Sequence, residues 1–382
     1  MTIQLTADQR RAGAEFAAFA REHIGPYADG WDTAGWLPRR VAEQLGERGY
    51  LGAVVPSEHG GTELDAITFG LLNEEVGRAC SSVRSLLTVH SMVAHALVRW
   101  GSAEQRSRWL PELARGTCLG AFALTEPAAG SDVQAMTARA DPADDSYVLS
   151  GHKHWITFGQ YADVFLVFAR IGSRPAAFLV ERHRTGLEVV PQSGALGTRA
   201  SMLAEVRLDG CRVPAANLVG RPGFGLSAVA ADALELGRYS VAWGCVGLAE
   251  ACVQASLRYA DTRQQFGQAL RHHQLIQHML ADMVTHTAAA RLLCQRAGWL
   301  RQAGDPRSVP ATWQAKYFAA NTAAQSANDA VQIHGSRGVG GDYPVQRYLR
   351  DAKVMEIIEG STQLQQITIA ESAYQATEEV LL

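Results

Sequence analysis

Hydrophobic period changes twice along this chain, and that double change rules out most architectures before any motif is read. From Thr6, a plausible helix N-cap, to about Gly120 apolar residues recur at helical spacing, with Phe16 and Phe19 on one face, a second helical stretch over 37–50 and a third from Ile67 to Leu113 interrupted at Gly101. Between Gly120 and Gly223 the spacing shortens to extended runs, among them Val164–Phe168, Ala177–Val180 and Leu187–Val190, separated by Gly, Pro and Asp. After Phe224 helical spacing returns over 226–262, 272–303, 309–334 and 344–380. The order helical, β, helical is not the alternation of a doubly wound sheet, so a dinucleotide fold is excluded. The expected fold is mainly α with a central β-barrel domain: an N-terminal helical domain over 1–119, a barrel-like β domain over 120–223, and an antiparallel four-helix bundle over 224–382.

A chain of 382 residues, 47% hydrophobic and 19% charged, can bury a large core and is not disordered. Its formal net charge of -3, with Lys and Arg scattered, gives no footprint for nucleic acid. The N-terminus carries Asp8, Arg10 and Arg11 in place of a signal-peptide apolar run, and no later stretch reads as a membrane span, so a cytoplasmic location is expected. Six dispersed cysteines without a C-x-x-C pair read as reduced core thiols, and the histidines lack ligand spacing, so no metal site is expected.

Chemistry concentrates first in Leu124–Asp132 and in Trp155-Ile156-Thr157. The turn Pro127-Ala128-Ala129-Gly130 leaves backbone N–H groups free beside the hydroxyls of Thr125 and Ser131, a cradle for an anionic or carbonyl-rich ligand. Trp155 offers a flat stacking face, and Thr157, two residues on in an extended segment, places a hydroxyl on the same side. Taken singly, each piece reads equally as a polar turn and a core Trp.

Together with Arg263-Gln264-Gln265-Phe266-Gly267, Gln332-Ile333-His334-Gly335 and Ile358-Glu359-Gly360-Ser361-Thr362-Gln363, these motifs make the whole chain resemble the acyl-CoA dehydrogenase family. The resemblance implies FAD held between domains and across a subunit interface of a homodimer or homotetramer. It assigns Phe122, Leu124, Thr125, Gly130 and Ser131 to the flavin, with Trp155 beside it and Thr157 near N5. Arg263, Gln265 and Phe266 would meet the diphosphate of a neighbouring subunit's cofactor, and Gln332, Gly335, Ser361 and Gln363 would complete that site. Glu359 takes the place of the family's base. On residue type alone it is either a helix-end carboxylate or a proton acceptor. The resemblance also implies an acyl thioester as substrate and electron-transfer flavoprotein or oxygen as electron acceptor.

The chain departs from the common pattern near that base. Ile358 stands where fatty-acyl members often have Tyr, with Glu356 before it where a neutral residue is frequent. Arg238, Tyr239 and Trp243 follow one helix past the expected acyl cavity, and two bulky rings there shorten it unless they are ordinary core aromatics. Arg84 is either an exposed helix charge or a cation for a polar acyl end. With Gly360 these residues form the expected substrate site. The runs Arg350–Ser361, Ser240–Gly247 and Trp31–Gly35 resemble a branch acting on small oxygenated acyl groups tethered to an acyl carrier protein, as in hydroxymalonyl or methoxymalonyl extender-unit biosynthesis. Ordinary α,β-dehydrogenation of a short-chain acyl-CoA, a reduced-flavin monooxygenase and a silent assembly subunit are the competing readings.

Overall fold

The computed structural model describes residues 4–375. Thr6 caps the first helix, α1 (Ala7–His23), through a capping box with Gln9, and buries Phe16 and Phe19. α2 (Ala28–Ala34) and α3 (Arg39–Glu47) follow. Asp65 caps α4 (Ala66–Ala79), accepting from the Ile67 and Thr68 N–H groups at 2.9 and 3.1 Å. The expected pattern from Ile67 to Leu113 breaks not only at Gly101 but also at Cys80, whose extended backbone (φ -160°, ψ 114°) separates α4 from α5 (Ser81–Trp100). α6 (Ala103–Arg115) starts from a second capping box at Ser102.

The β region is an open mixed sheet, not the expected barrel. Its strands are β1 (Gly120–Ala123), β2 (Arg139–Ala143), β3 (Ser146–Ile156), β4 (Val164–Ile171), β5 (Arg174–Glu181), β6 (Leu187–Pro191), β7 (Ala204–Pro214) and β8 (Leu218–Val219). The order is β6-β7-β3-β2-β4-β5-β8, with β1 beside β4. Closure fails for two reasons: β8 has only two residues, and β1 and β2 divide one edge of β4 between them, β1 pairing along 164–167 and β2 at Arg170. Val164–Ala169 is buried throughout, because the helical region covers this part of the sheet.

The third region begins with a π-turn at Gly225–Ala230 that runs into α7 (Ala231–Thr262). A hairpin of β9 (Gln264–Gln265) and β10 (Gln268–Ala269) leads to α8 (Gln274–Gln302), α9 (Ser308–His334), the one-turn α10 (Ser336–Val339), α11 (Val345–Met355) and α12 (Thr362–Gln375). The single helix expected over 344–380 is therefore two helices, and its last residues, from 376 on, lie outside the described residues. Glu359 and Gly360 make the break, with left-handed φ of 55° and 92° that no α-helix accommodates. The expectation of no membrane-length segment also needs correction. Gly225–Thr262 is long and apolar enough by length and composition, but 83% of its apolar window is buried inside the fold, as befits the central helix of a bundle.

α7 and α4 cross through glycines: a Cβ on Gly77 would lie 2.8 Å from the Gly244 Cα, and one on Gly247 would enter the Glu74 carbonyl. α5 lies against both cores, burying Val83, Leu86 and Leu87 with the helices and Met92, Val93 and Leu97 with the sheet. His90 ties α5 to its neighbours. Its Nδ1 accepts from the Gly120 N–H at 3.2 Å and its Nε2 donates to the Leu113 carbonyl at 3.0 Å, and burial pushes its pKa down to about 4, so it stays neutral. Gly247→Ala is expected to force α4 and α7 apart and to lower stability by about 1–3 kcal/mol, read as a fall in the urea midpoint. An unchanged midpoint would mean that the crossing relaxes freely.

Candidate functional site

Glu359 sits in the turn between α11 and α12. Its carbonyl accepts from Arg238 Nε at 3.0 Å and Gln365 Nε2 at 3.3 Å, while the Gly360 carbonyl accepts from Lys316 Nζ at 2.7 Å. The carboxyl lies over Gly237 of α7, where a Cβ would come within 2.6 Å of Oε2, so the glycine makes room for it. Oε2 is enclosed and has no hydrogen-bond partner among the described residues. Burial pushes the Glu359 carboxyl up to about 7, against the lowering pull of Arg238, Lys316 and Arg84. A carboxylate with an unused oxygen and a proton affinity near neutrality can accept a proton from carbon or oxygen.

Arg84 is not an exposed helix charge: it is 1% exposed and makes no ion pair among the described residues. Nη1 donates to Thr88 Oγ1 at 2.8 Å and Nη2 to Met355 Sδ at 3.2 Å. Gly244 makes room for its stem, since a Cβ there would lie 2.8 Å from Arg84 Cδ. Burial lowers its pKa, with Cys245 and Glu359 the leading opposing influences. Tyr239 and Trp243 are wholly buried between α7 and α4. The indole lies over Gly70 at distances that a Cβ could not share, and the Tyr239 hydroxyl donates to the Ala66 carbonyl at 2.7 Å. Both rings therefore pack as core aromatics between α4 and α7. Ile358 is half-buried beside them on the core, and Lys353 draws Glu356 away at 2.9 Å.

The turn after β1 is held by a feature that the sequence reading missed. Glu126 accepts from Lys153 Nζ at 2.8 Å, the Thr137 N–H and hydroxyl at 2.7 Å each, and the Ala138 N–H at 3.0 Å. Lys153 also donates to the Leu124 carbonyl at 3.1 Å. Burial pushes the Glu126 carboxyl up, but Lys153 and Thr137 hold it below its ordinary value, while burial takes Lys153 down to about 8. Glu126 inside Leu124–Asp132, together with Lys153 on an otherwise apolar-polar strand, was the available signal for this pair. Within the turn the free donors are fewer than expected. Pro127 has no N–H and Ala129 N–H bonds the Glu126 carbonyl at 3.2 Å, which leaves those of Ala128 and Gly130 without partners among the described residues. The hydroxyls of Thr125, Ser131 and Thr157 likewise find no partner there.

Trp155 also differs from expectation. It lies in β3, but its φ is 59° at a register break between Lys153 and Ile156, and Thr157 lies in the turn that follows, so period-two alternation does not place Thr157 beside the ring. The left-handed step instead leaves the indole 51% exposed and Thr157 half-buried. Phe122 packs on Phe168 at 4.9 Å, and Leu124 is buried. Arg263 caps the C-terminus of α7, Gln265 is exposed in the following hairpin, and Phe266 at its tip is 96% exposed with φ 51°. Gln332, Gly335 and Gln363 are exposed and Ser361 is half-buried, its hydroxyl accepting from the Leu364 N–H at 3.3 Å. The structure thus gathers Glu359, Arg238, Gly360 and Lys316 in one cluster and holds the 124–131 turn against β3. The 263–267 hairpin instead stands out from the fold.

Residues 6–117, 121–211 and 225–374 match the profiles described as acyl-CoA dehydrogenase N-terminal, middle and C-terminal domains. A probable acyl-CoA dehydrogenase of Bacillus subtilis, YngJ, is 39% identical over 97% of this chain and 99% of its own length. Among solved structures, butyryl-CoA dehydrogenase from Megasphaera elsdenii superposes with TM-score 0.94 at 31% identity, covering 98% of this chain and 100% of that one. FkbI, described as serving biosynthesis of the methoxymalonyl extender unit of FK520, superposes at 0.87 with 38% identity over 96% and 99%. A glutaryl-CoA dehydrogenase from Mycobacterium smegmatis in complex with FADH2 superposes at 0.93 with 28% identity over 97% and 96%. The fold and the buried carboxyl define a flavin-dependent oxidoreductase. The chain belongs to the acyl-CoA dehydrogenase family, whose cofactor is FAD. Its residues fit that group: a half-exposed indole, two spare N–H donors and three unpartnered hydroxyls suit a flat ring with polar edges and an anionic tail.

Two outcomes follow from this geometry. Lys153→Met leaves the Glu126 carboxylate buried without its cation and is expected to cost about 3–5 kcal/mol and to weaken FAD retention on gel filtration; full stability and flavin content would contradict a supporting role. Glu359 holds its proton more tightly folded than unfolded, so its contribution favours the fold below pH 4.5 and is lost as pH rises through about 7. Glu359→Gln, which mimics the neutral form, should therefore raise the urea midpoint at pH 8 and leave it nearly unchanged at pH 4.5.

Proposed function

We propose that this chain oxidises a short acyl-CoA thioester between its α and β carbons, with Glu359 as the proton acceptor. The observation that carries the reading is the enclosed, unpartnered Oε2 of Glu359 in a turn fixed by Arg238, Gln365 and Lys316. The ionised carboxylate removes the α proton. Its own backbone N–H, as the resemblance implies, faces the charge that develops on the thioester oxygen. When bound, FAD supplies the acceptor for the hydride that leaves the β carbon. Tyr239 and Trp243, buried between α4 and α7, end the space for the acyl group in this reading. The likeness to butyryl-CoA dehydrogenase supports the short chain length.

A second reading is favoured by Arg84. A buried guanidinium without a counter-ion among the described residues suits a polar or carboxylated acyl end, and the 38% identity to FkbI supports a small oxygenated acyl group on a carrier protein. Glu359 would then take a hydroxyl proton as hydride leaves the oxygen-bearing carbon. In either reading the phenyl ring of Phe266 and the groups on its hairpin meet a second copy of the chain, and electron-transfer flavoprotein or oxygen takes the electrons in the cytoplasm.

Anaerobic stopped-flow absorbance separates the two readings. Under the first, butyryl-CoA bleaches the oxidised flavin band, the rate rises with pH through about 7 as Glu359 ionises, and Glu359→Gln slows it by about a thousandfold. Bleaching only by a glyceryl-type group on a carrier protein, with binding weakened about tenfold or more by Arg84→Met, would establish the second. Flavin reduction at the wild-type rate in Glu359→Gln defeats both.

A further inference from the structure

Lys316 has so far entered only as a donor to the turn, and its charge has no assigned role. It lies in the middle of α9 with 0% exposure and makes no ion pair, and its single hydrogen bond among the described residues is the 2.7 Å contact to the Gly360 carbonyl. An ammonium taken out of water for one neutral acceptor is unfavourable unless nearby anionic charge compensates it. The carbonyl it holds belongs to the second of two consecutive left-handed residues, and Arg238 and Gln365 hold the first. Both peptide planes of the turn are thus fixed by donors from the bundle, and the direction of the Glu359 side chain is fixed with them.

We infer that Lys316 is a positioning residue for the proposed reaction: through the Gly360 carbonyl its ammonium holds the left-handed turn that aims Glu359, and its charge favours the ionised carboxylate. The inference rests on Glu359 being the proton acceptor. The charged groups facing Glu359 are Arg84 from α5, Arg238 from α7 and Lys316 from α9, while Glu235 and Glu356 act on those cations. Of the three cations, Lys316 can lose its charge near neutrality. Burial brings its pKa down to about 8, above the value of about 7 for Glu359, so Lys316 is still mostly cationic at the midpoint of the Glu359 ionisation. Arg238 contributes a permanent charge on the other side of the turn.

The two roles separate with two variants. Lys316→Gln keeps a donor for Gly360 and removes the charge, whereas Lys316→Met removes both. For butyryl-CoA-driven flavin reduction between pH 5 and 8, both variants are expected to move the pH midpoint upward by about one unit. The high-pH plateau should stay within about threefold of wild type in Lys316→Gln and fall about tenfold or more in Lys316→Met. A lysine that merely fills space would lower stability in both variants without moving the midpoint, and that result overturns the inference. A second measurement needs no substrate: the gain in urea midpoint from Glu359→Gln grows with pH and levels off above the folded pKa of Glu359, and the pH at which it levels off should rise when Lys316→Gln is also present; an unchanged levelling-off pH overturns the electrostatic role. If Glu359→Gln itself leaves flavin reduction intact, the proton-acceptor reading fails, while the urea measurement still reports whether Lys316 and Glu359 are coupled.

Discussion

The architecture depends on the contact of α4 with α7 through Gly77, Gly244 and Gly247. Side chains of ordinary size at these points would hold the helices about 8–10 Å apart. With glycine on both faces the backbones themselves touch; Gly244 also makes room for the stem of Arg84, and Gly70, farther along α4, for the indole of Trp243. Every later feature of the site is measured from that crossing. Gly237, on the same helix as Gly244, gives the Glu359 carboxyl its place, and Arg238, the next residue, fixes the Glu359 carbonyl. One helix therefore carries both the aromatics packed against α4 and the residues that place the candidate base.

Charge in this molecule is arranged by the same principle of enclosure. Surface ion pairs contribute little, whereas three cations, Lys153 and Lys316 buried and Arg238 half-buried, each hold a backbone carbonyl at a bend. Lys153 holds that of Leu124, Lys316 that of Gly360 and Arg238 that of Glu359. Of these, Lys153 also has a carboxylate partner in Glu126. Lys316 and Arg238 have no such partner; Glu359 acts on both, with Glu356 on Lys316 and Glu235 on Arg238, and the Glu359 share disappears when its carboxyl is protonated. The site is thus electrostatically strained in a defined sense: three cations gather around one acid whose burial opposes its ionisation.

Much of this was readable from residue patterns. Period changes located the helical and β regions, capping residues such as Thr6 marked a helix start, and separated motifs pointed to the family. What escaped the reading was conformational or non-local. A strong helical period across 344–380 concealed a left-handed break, because Glu359 at φ 55° looks like any helical glutamate in sequence. The open sheet could not be told from a barrel, since strand spacing does not report that β1 and β2 share one edge of β4. Arg84 stayed ambiguous because its burial depends on Gly244, 160 positions away in the chain, and Lys316 gave no signal because its partner is a backbone carbonyl.

The position of α5 has a consequence for how the protein comes apart. Its first half belongs to the helical core and its second half to the sheet core, with no exposed residue between Ser81 and Ala94. Neither core can open without uncovering the other, so the two behave as one cooperative foldon in spite of their different architectures. The 124–131 turn on the sheet and the Glu359 turn on the bundle are therefore lost or kept together.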